Sequence, residues 1–296
     1  MLKKLKREDL TFDVCTLILG LLVFSIALFP LIYILVASIS NPRYVVTGEV
    51  MLWPKDITFA AYEAVFANSK ILLGYMNTIF YTVLGTLINI ALTTMVAYPL
   101  SKKDLYGRNI ITMFLTFTMF FSGGMIPSYL LIKNLGIYNS FWAMIIPNAI
   151  SMWNLLVMRN YFQTAIPNEL IEASKVDGCT NVGALVRVVL PVAKPIMAVM
   201  VIFYAVGHWN AYFDALIYLS NNELFPLQVI LREILLQNQI SGMGEAVSST
   251  LSSEQYLISE SIKYAVIVVA SIPVLVLYPF LQKYFVKGVM VGAIKG

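Results

Sequence analysis

The sequence predicts an all-α membrane protein with six transmembrane helices. Of its 296 residues, 59% are hydrophobic and only 12% are charged, far from the composition of a soluble domain. Several apolar runs reach the about 20 residues that a helix needs to cross roughly 30 Å of hydrocarbon. A helix also satisfies its own backbone hydrogen bonds, as lipid requires. The basic residues gather at alternate ends of these runs, which is the charge bias that sets topology.

The first run, about 14–38, follows the basic stretch MLKKLKRED. It is longer than the roughly 7 to 15 apolar residues of a secretory signal and has no small-residue cleavage site after it, so it predicts a retained first span. An outer segment of about 39–70 follows, predicted to carry short helices, with Pro54, Tyr62 and Phe66 as apolar residues able to pack against the spans or a partner. Spans are then predicted at about 71–100, 109–132 and 140–160. A polar stretch of about 160–194 separates these from a fifth span at about 195–219. The second long outer segment, 220–261, has an apolar part at 224–237 and a Ser- and Gly-rich part at 241–253 that predicts a flexible loop. The last span is predicted at about 262–285. The whole chain is predicted to be a single membrane domain, 1–296, with its core at 71–286. Pro30, Pro99, Gly123, Gly124, Pro127, Pro147, Pro273 and Pro279 lie inside the spans and predict kinks or helix ends near an interface.

With six crossings and the N-terminus inside, all of the 20 Lys and Arg except Arg43, Lys55, Lys70, Lys133, Arg232 and Lys263 fall on the cytoplasmic side. Both termini and the polar stretch are therefore expected in the cytoplasm. The net charge of +4 is spread around span ends, which argues against a nucleic-acid partner. Cys15 and Cys179 have neither metal-ligand spacing nor a disulfide framework around them.

The polar stretch contains EASKVDGCTNVGALVRVVLPVAKP, Glu172 to Pro195. Pro167 suits a first helical turn, Glu169 and Glu172 suit the positive end of the helix dipole, and Gly178 suits a left-handed stop. The expectation is a helix over about 167–177, a turn at Gly178 and a second helix opening near Asn181. Ala173 and Ser174 would form a close-approach surface, ringed by Glu172, Lys175 and Asp177. Two readings fit: a knob received by a partner's groove, or an ordinary amphipathic hairpin at the interface.

Polar groups inside spans are costly and so are candidates for a solute path. Asp214 is the strongly acidic residue placed in a span, near the outer end of the fifth. Trp209, Asn210 and Tyr212 beside it, with Asn148, Trp153 and Asn154 in the fourth span, combine aromatic faces with amides. That mixture suits carbohydrate, whose C–H faces stack on rings and whose hydroxyls pair with amides and carboxylates. Aromatic residues also anchor helices at the interface, which is the alternative for each ring taken alone. His208 is the one histidine, which excludes a His-based metal cluster and suits a hydrogen-bonded packing role. No GxxxxGK[ST] phosphate loop occurs in the chain.

The spacing of Glu172-Ala173, Asp177-Gly178 and Leu190-Pro191 resembles the EAA loop of bacterial ABC importer permeases. The resemblance extends to TIFYTVLGTLINIALTTMVAYPLSK, SGGMIPSYLLIKNLGIYNSFWAMIIPNAI, the Trp209-Asn210 pair and the closing KYFVKGVMVGAIKG. It covers most of the chain from Asn77 onward and is specific to the maltose-type carbohydrate importers, within them to the shorter maltose permease and a branch handling complex or acidic oligosaccharides. The resemblance implies a type I importer permease fold. It also implies that Glu172, Ala173, Ser174, Asp177, Gly178, Leu190 and Pro191 couple the chain to an ATPase, with no catalytic residue here. The implied partners are a second homologous permease, two ATPase subunits that bind ATP and Mg, and an extracytoplasmic solute-binding protein delivering an oligosaccharide, all at a bacterial inner or plasma membrane. The 282–296 tail would reach toward the ATPase pair. Ser174 and Cys179 stand where the family often has Ala, and Leu185 where it often has an aromatic; the first two are nearly as small, and the third makes a smaller contact. A permease for a non-sugar solute, an ion-coupled secondary transporter and a membrane scaffold are the alternatives.

Overall fold

The computed structural model describes residues 7–243, 257, 261–276 and 279. Chain contacts divide it into two compact units, Met1–Ser69 with Leu231–Ser271, and Lys70–Ile230 with Ile272–Gly296.

The first unit opens with α1, Arg7–Ser38. Its stretch Phe12–Ser38 is long and apolar enough to span a bilayer. From Phe12 to Leu31 its side chains are almost all exposed, and an apolar surface on every side suits lipid rather than water. Burial begins where α1 ends: Val36 and Ala37 pack with Val45 and Val50, and Tyr33 meets Tyr264 edge-on at 5.9 Å. The outer segment holds short helices as predicted, α2 at Pro42–Val46 and α3 at Ala60–Ala67. Asn41 caps α2, its Oδ1 accepting from Arg43 N–H at 3.1 Å while its Nδ2 donates to Asp56 Oδ2 at 2.7 Å.

The second unit is built on α4, Ser69–Ser101, also long enough to span alone. The run predicted as one span over 109–132 is two helices, α5 at Arg108–Phe120 and α6 at Met125–Asn134, bent by 113°. Phe121 is extended and Gly124 has φ +87°, a conformation that ends helical hydrogen bonding and that glycine adopts without penalty. The run predicted over 140–160 also divides, into α7 at Trp142–Ile145 and α8 at Met152–Ala165. Pro147 lies in the break, and the Ser151 side chain caps the second piece.

The polar stretch folds as α9, Asn168–Val176, and α10, Asn181–Val192. The predicted fifth span is α11, Lys194–Trp209, bent 85° from α10, followed after a break by α12 at Phe213–Tyr218. Next come α13, Leu227–Met243, and α14, Ser261–Val276. Residues 241–243 of the predicted flexible loop are thus the end of α13; 244–253 lie outside the described residues, as do the basic N-terminal residues 1–6 and nearly all of the last span beyond Val276, with the 282–296 tail. By length and composition the described residues contain two helices able to cross a membrane, or four crossings if each bent pair counts as one.

The core of the second unit joins the last turns of α4 to α8, α10 and α11, with Leu155, Met158, Val189, Ala193 and Met200 fully buried. Arg159 Nε donates to Leu100 O at 2.9 Å, a cation satisfying a carbonyl at the C-terminus of α4. At the far end of the unit Asn139 holds φ +56°, and its Oδ1 accepts from the backbone N–H groups of Ser220 and Asn221 at 2.9 and 2.8 Å. Its own N–H donates to Tyr218 O at 2.9 Å. Leucine can neither accept these bonds nor adopt that backbone cheaply, so Asn139→Leu is expected to destabilise the protein by about 2 to 4 kcal/mol, with Asn139→Asp costing much less. Thermal unfolding in detergent would measure both.

Candidate functional site

One face of α4 is polar and buried. Thr78, Thr82, Thr86, Asn89 and Thr93 recur at helical spacing and are each less than a tenth exposed. Asn89 is the centre of a relay across the unit. Its Nδ2 donates to Asn148 O at 2.6 Å, and its Oδ1 lies 2.9 Å from His208 Nε2. Since the amide nitrogen is already donating, Oδ1 accepts, which assigns the hydrogen to Nε2 of His208. Asn148 Nδ2 in turn donates to Asp214 Oδ2 at 2.6 Å. Beside this relay the Tyr204 hydroxyl bonds Thr93 Oγ1 at 2.6 Å and accepts from Ser151 N–H at 3.3 Å.

Asn89, Asn148, Ser151, Tyr204, His208 and Asp214 line a chamber of about 360 Å³. Of the path residues predicted from the sequence, Asn148, Asn154, Asn210, Tyr212 and Asp214 line it together. Trp153 does not, being 62% exposed, and Trp209 is buried against Tyr75, ring centroids 5.7 Å apart. Neither tryptophan is thus brought to the chamber: one ring faces outward and the other packs within the unit. Phe203 and Phe213 supply the apolar wall instead. The chamber offers amides, hydroxyls and a carboxylate around aromatic rings, which is chemistry for a polyhydroxylated solute. Asn89, Tyr204 and His208 were absent from the predicted path, although a polar residue every third or fourth position of an apolar run is a readable sign of a bundle interior.

The polar loop has the predicted form. Asp177 closes α9, Gly178 takes φ +78°, Gly178 N–H bonds Lys175 O at 3.0 Å and Cys179 N–H bonds Ser174 O at 2.9 Å. That pair of bonds is a Schellman stop. Thr180 then caps α10, accepting from Gly183 N–H at 3.1 Å. Pro191 has no N–H for the carbonyl four residues back, and the turn before it, Leu185–Val189, widens to π-type bonding. Glu172, Ala173, Asp177, Gly178 and Pro191 are exposed, and Leu190 is half-buried. Ser174 departs from expectation: it is 4% exposed and its Oγ donates to Ile171 O at 2.7 Å. The outward surface is instead Ala173 with Val176, which is 88% exposed, and Val182.

The pattern of the family described as "Binding-protein-dependent transport system inner membrane component" matches residues 71–291. Protein LplC of Bacillus subtilis is 40% identical over 96% of this chain and 95% of its own length. The polygalacturonan/rhamnogalacturonan transport system permease protein YtcP of the same organism is 42% identical over 93% of this chain and 96% of its own. Among solved structures, a bacterial ABC transporter involved in the import of the acidic polysaccharide alginate contains a chain that superposes with TM-score 0.84, at 35% identity, over 95% of this chain and 98% of that one.

Proposed function

Because the chain belongs to the family of binding-protein-dependent transport system inner membrane components, we propose that it forms one half of the solute path in an ATP-driven oligosaccharide importer. It is a multi-pass membrane permease and a transport subunit. The chamber beside Asn89, Asn148 and Asp214 supports the substrate class, since its amides and carboxylate can exchange water for sugar hydroxyls at little cost. The other half of the path belongs to a second, similar permease. Two ATPase subunits carry ATP and Mg, because this chain has no phosphate-binding loop, and an extracytoplasmic binding protein delivers the solute.

In this reading both termini and the polar loop face the cytoplasm. The exposed Glu172, Ala173, Asp177, Gly178, Leu190 and Pro191 region is the socket through which the motor acts on the spans, with Ser174 bracing α9 from within. ATP closure pulls α9, and the π turn before Pro191 gives α10 a place to yield.

The reading is tested by copurification from native membranes and by uptake into proteoliposomes. A second permease and an ATPase should come down with the chain, and ATPase activity should rise when a binding protein loaded with oligosaccharide is added. A chain that purifies alone and transports without ATP would replace this reading with an ion-coupled carrier. Asp214→Ala is expected to lower uptake about tenfold or more, since it removes the acceptor that orients Asn148, while ATPase stimulation by the loaded binding protein persists.

A further inference from the structure

A second cavity lies apart from the chamber. It is a groove of about 740 Å³ between the C-terminal half of α4 and α10, within the range of about 300 to 1,000 Å³ typical of ligand sites. Leu87, Ala91 and Met95 form its α4 wall, with Val182 and Val186 opposite. At the loop end it is bounded by Tyr98, Lys102, Asp104 and Lys175. Two polar atoms there are anomalous. The Tyr98 hydroxyl and the Lys102 ammonium are buried and have no hydrogen-bond partner among the described residues. Lys102 Nζ sits 4.5 Å from the Tyr98 ring centroid, while Lys175 reaches Asp104 at 4.0 Å in an exposed pair. Burial pushes the Lys102 ammonium below the usual lysine range; Lys175 adds to the fall and Asp104 opposes it. Both orphan groups can donate and neither meets an acceptor, since the Asp104 carboxylate is turned to Lys175; a negative acceptor best suits the lysine.

The apolar part has the length of one leaflet. From Tyr98 back to Leu87 the helix rises roughly 16 Å, about half the hydrocarbon thickness of a bilayer. Leu87 and Met95 are 63% and 64% exposed along this path. We propose that the groove binds one anionic phospholipid, its phosphate accepting from Lys102 and Tyr98 and an acyl chain lying along Leu87, Ala91 and Met95. A transmembrane helix of another protein fits the donors poorly, because its carbonyls are consumed by its own hydrogen bonds. A zwitterionic headgroup would bring an ammonium toward Lys102 and Lys175. The groove's far wall is α10, which continues directly from the Gly178 turn, so the lipid ties α4 to the segment that carries the exposed loop.

The full-length chain, purified within its membrane complex in mild detergent, can be examined by native mass spectrometry with phosphatidylglycerol and phosphatidylcholine added in turn. Phosphatidylglycerol should be retained preferentially, and Lys102→Gln should lower its retention roughly fivefold, leave phosphatidylcholine unchanged and be rescued by Lys102→Arg. Tyr98→Phe gives an independent reading should the lysine variant assemble poorly. A benzophenone amino acid at Met95 should crosslink to lipid in native membranes. Equal retention of the two lipids, displacement of phosphatidylglycerol by inorganic phosphate, wild-type behaviour of both headgroup variants, or a protein adduct at position 95 would overturn the proposal.

Discussion

Gly178→Val is expected to reduce uptake on the order of a hundredfold while the protein still inserts and assembles. The glycine holds φ +78°, and a Cβ built there would meet nothing within 4 Å among the described residues. Inside the chain the substitution therefore costs only backbone strain, about 1 to 2 kcal/mol for a side chain in the left-handed region. A far larger loss of transport must come from outside, from a partner surface closing on the turn. Gly178→Asn separates the two causes, since asparagine tolerates this backbone and still adds a side chain. Uptake and ATPase activity in proteoliposomes should fall for both variants. An active asparagine variant beside a dead valine variant would attribute the effect to strain, and normal uptake by both would remove the loop from coupling altogether.

Gly85→Ala is expected to destabilise the protein on the order of 2 to 4 kcal/mol and to impair uptake with it. Gly85 lies on α4 directly under the His208 ring. An added Cβ would stand 2.8 Å from Cδ2 and closer still to Nε2 and Cε1. The ring cannot swing aside without losing Asn89, because it is only 8% exposed and its Nε2 is the donor to that amide. Two costs then combine: overpacking, and a buried acceptor left without its donor. His208→Ala in the same protein should give back part of the loss, so the two changes together cost less than their sum by about 1 kcal/mol or more. Thermal unfolding of the four variants in detergent measures the coupling. Strict additivity would mean that α4 shifts instead of the ring.

The outer segment of 39–70 shows how far local chemistry carries. Its prolines and aromatic residues predict compact structure, and Asn41, Pro42 and Asp56 form the caps and turns that such residues favour. The polar loop was legible almost residue by residue, because a proline start, an acidic first turn and a glycine stop act within a few bonds of themselves; the Thr180 cap of α10 went unread. Ser174 was misjudged for the opposite reason. Which side of a short amphipathic helix faces inward depends on what lies beneath it, and the sequence contains no record of that.

Composition and run length determined by themselves that this is a helical membrane protein, because the cost of an unpaired peptide group in lipid leaves few alternatives. The spacing of Glu172, Asp177, Gly178 and Pro191 likewise determined the form of the loop. Only the tertiary structure decided where the apolar runs break, since a run of hydrophobic residues reads alike whether its helix is straight or bent by 113° at Gly124. It alone brought Asn89, Asn148, His208 and Asp214 together, as hydrogen bonds between residues up to 119 apart are set by how helices pack. It also set Trp153 outward and left Tyr98 and Lys102 facing a groove with no acceptor of their own. Periodicity tells which residues share a face; packing decides what that face meets.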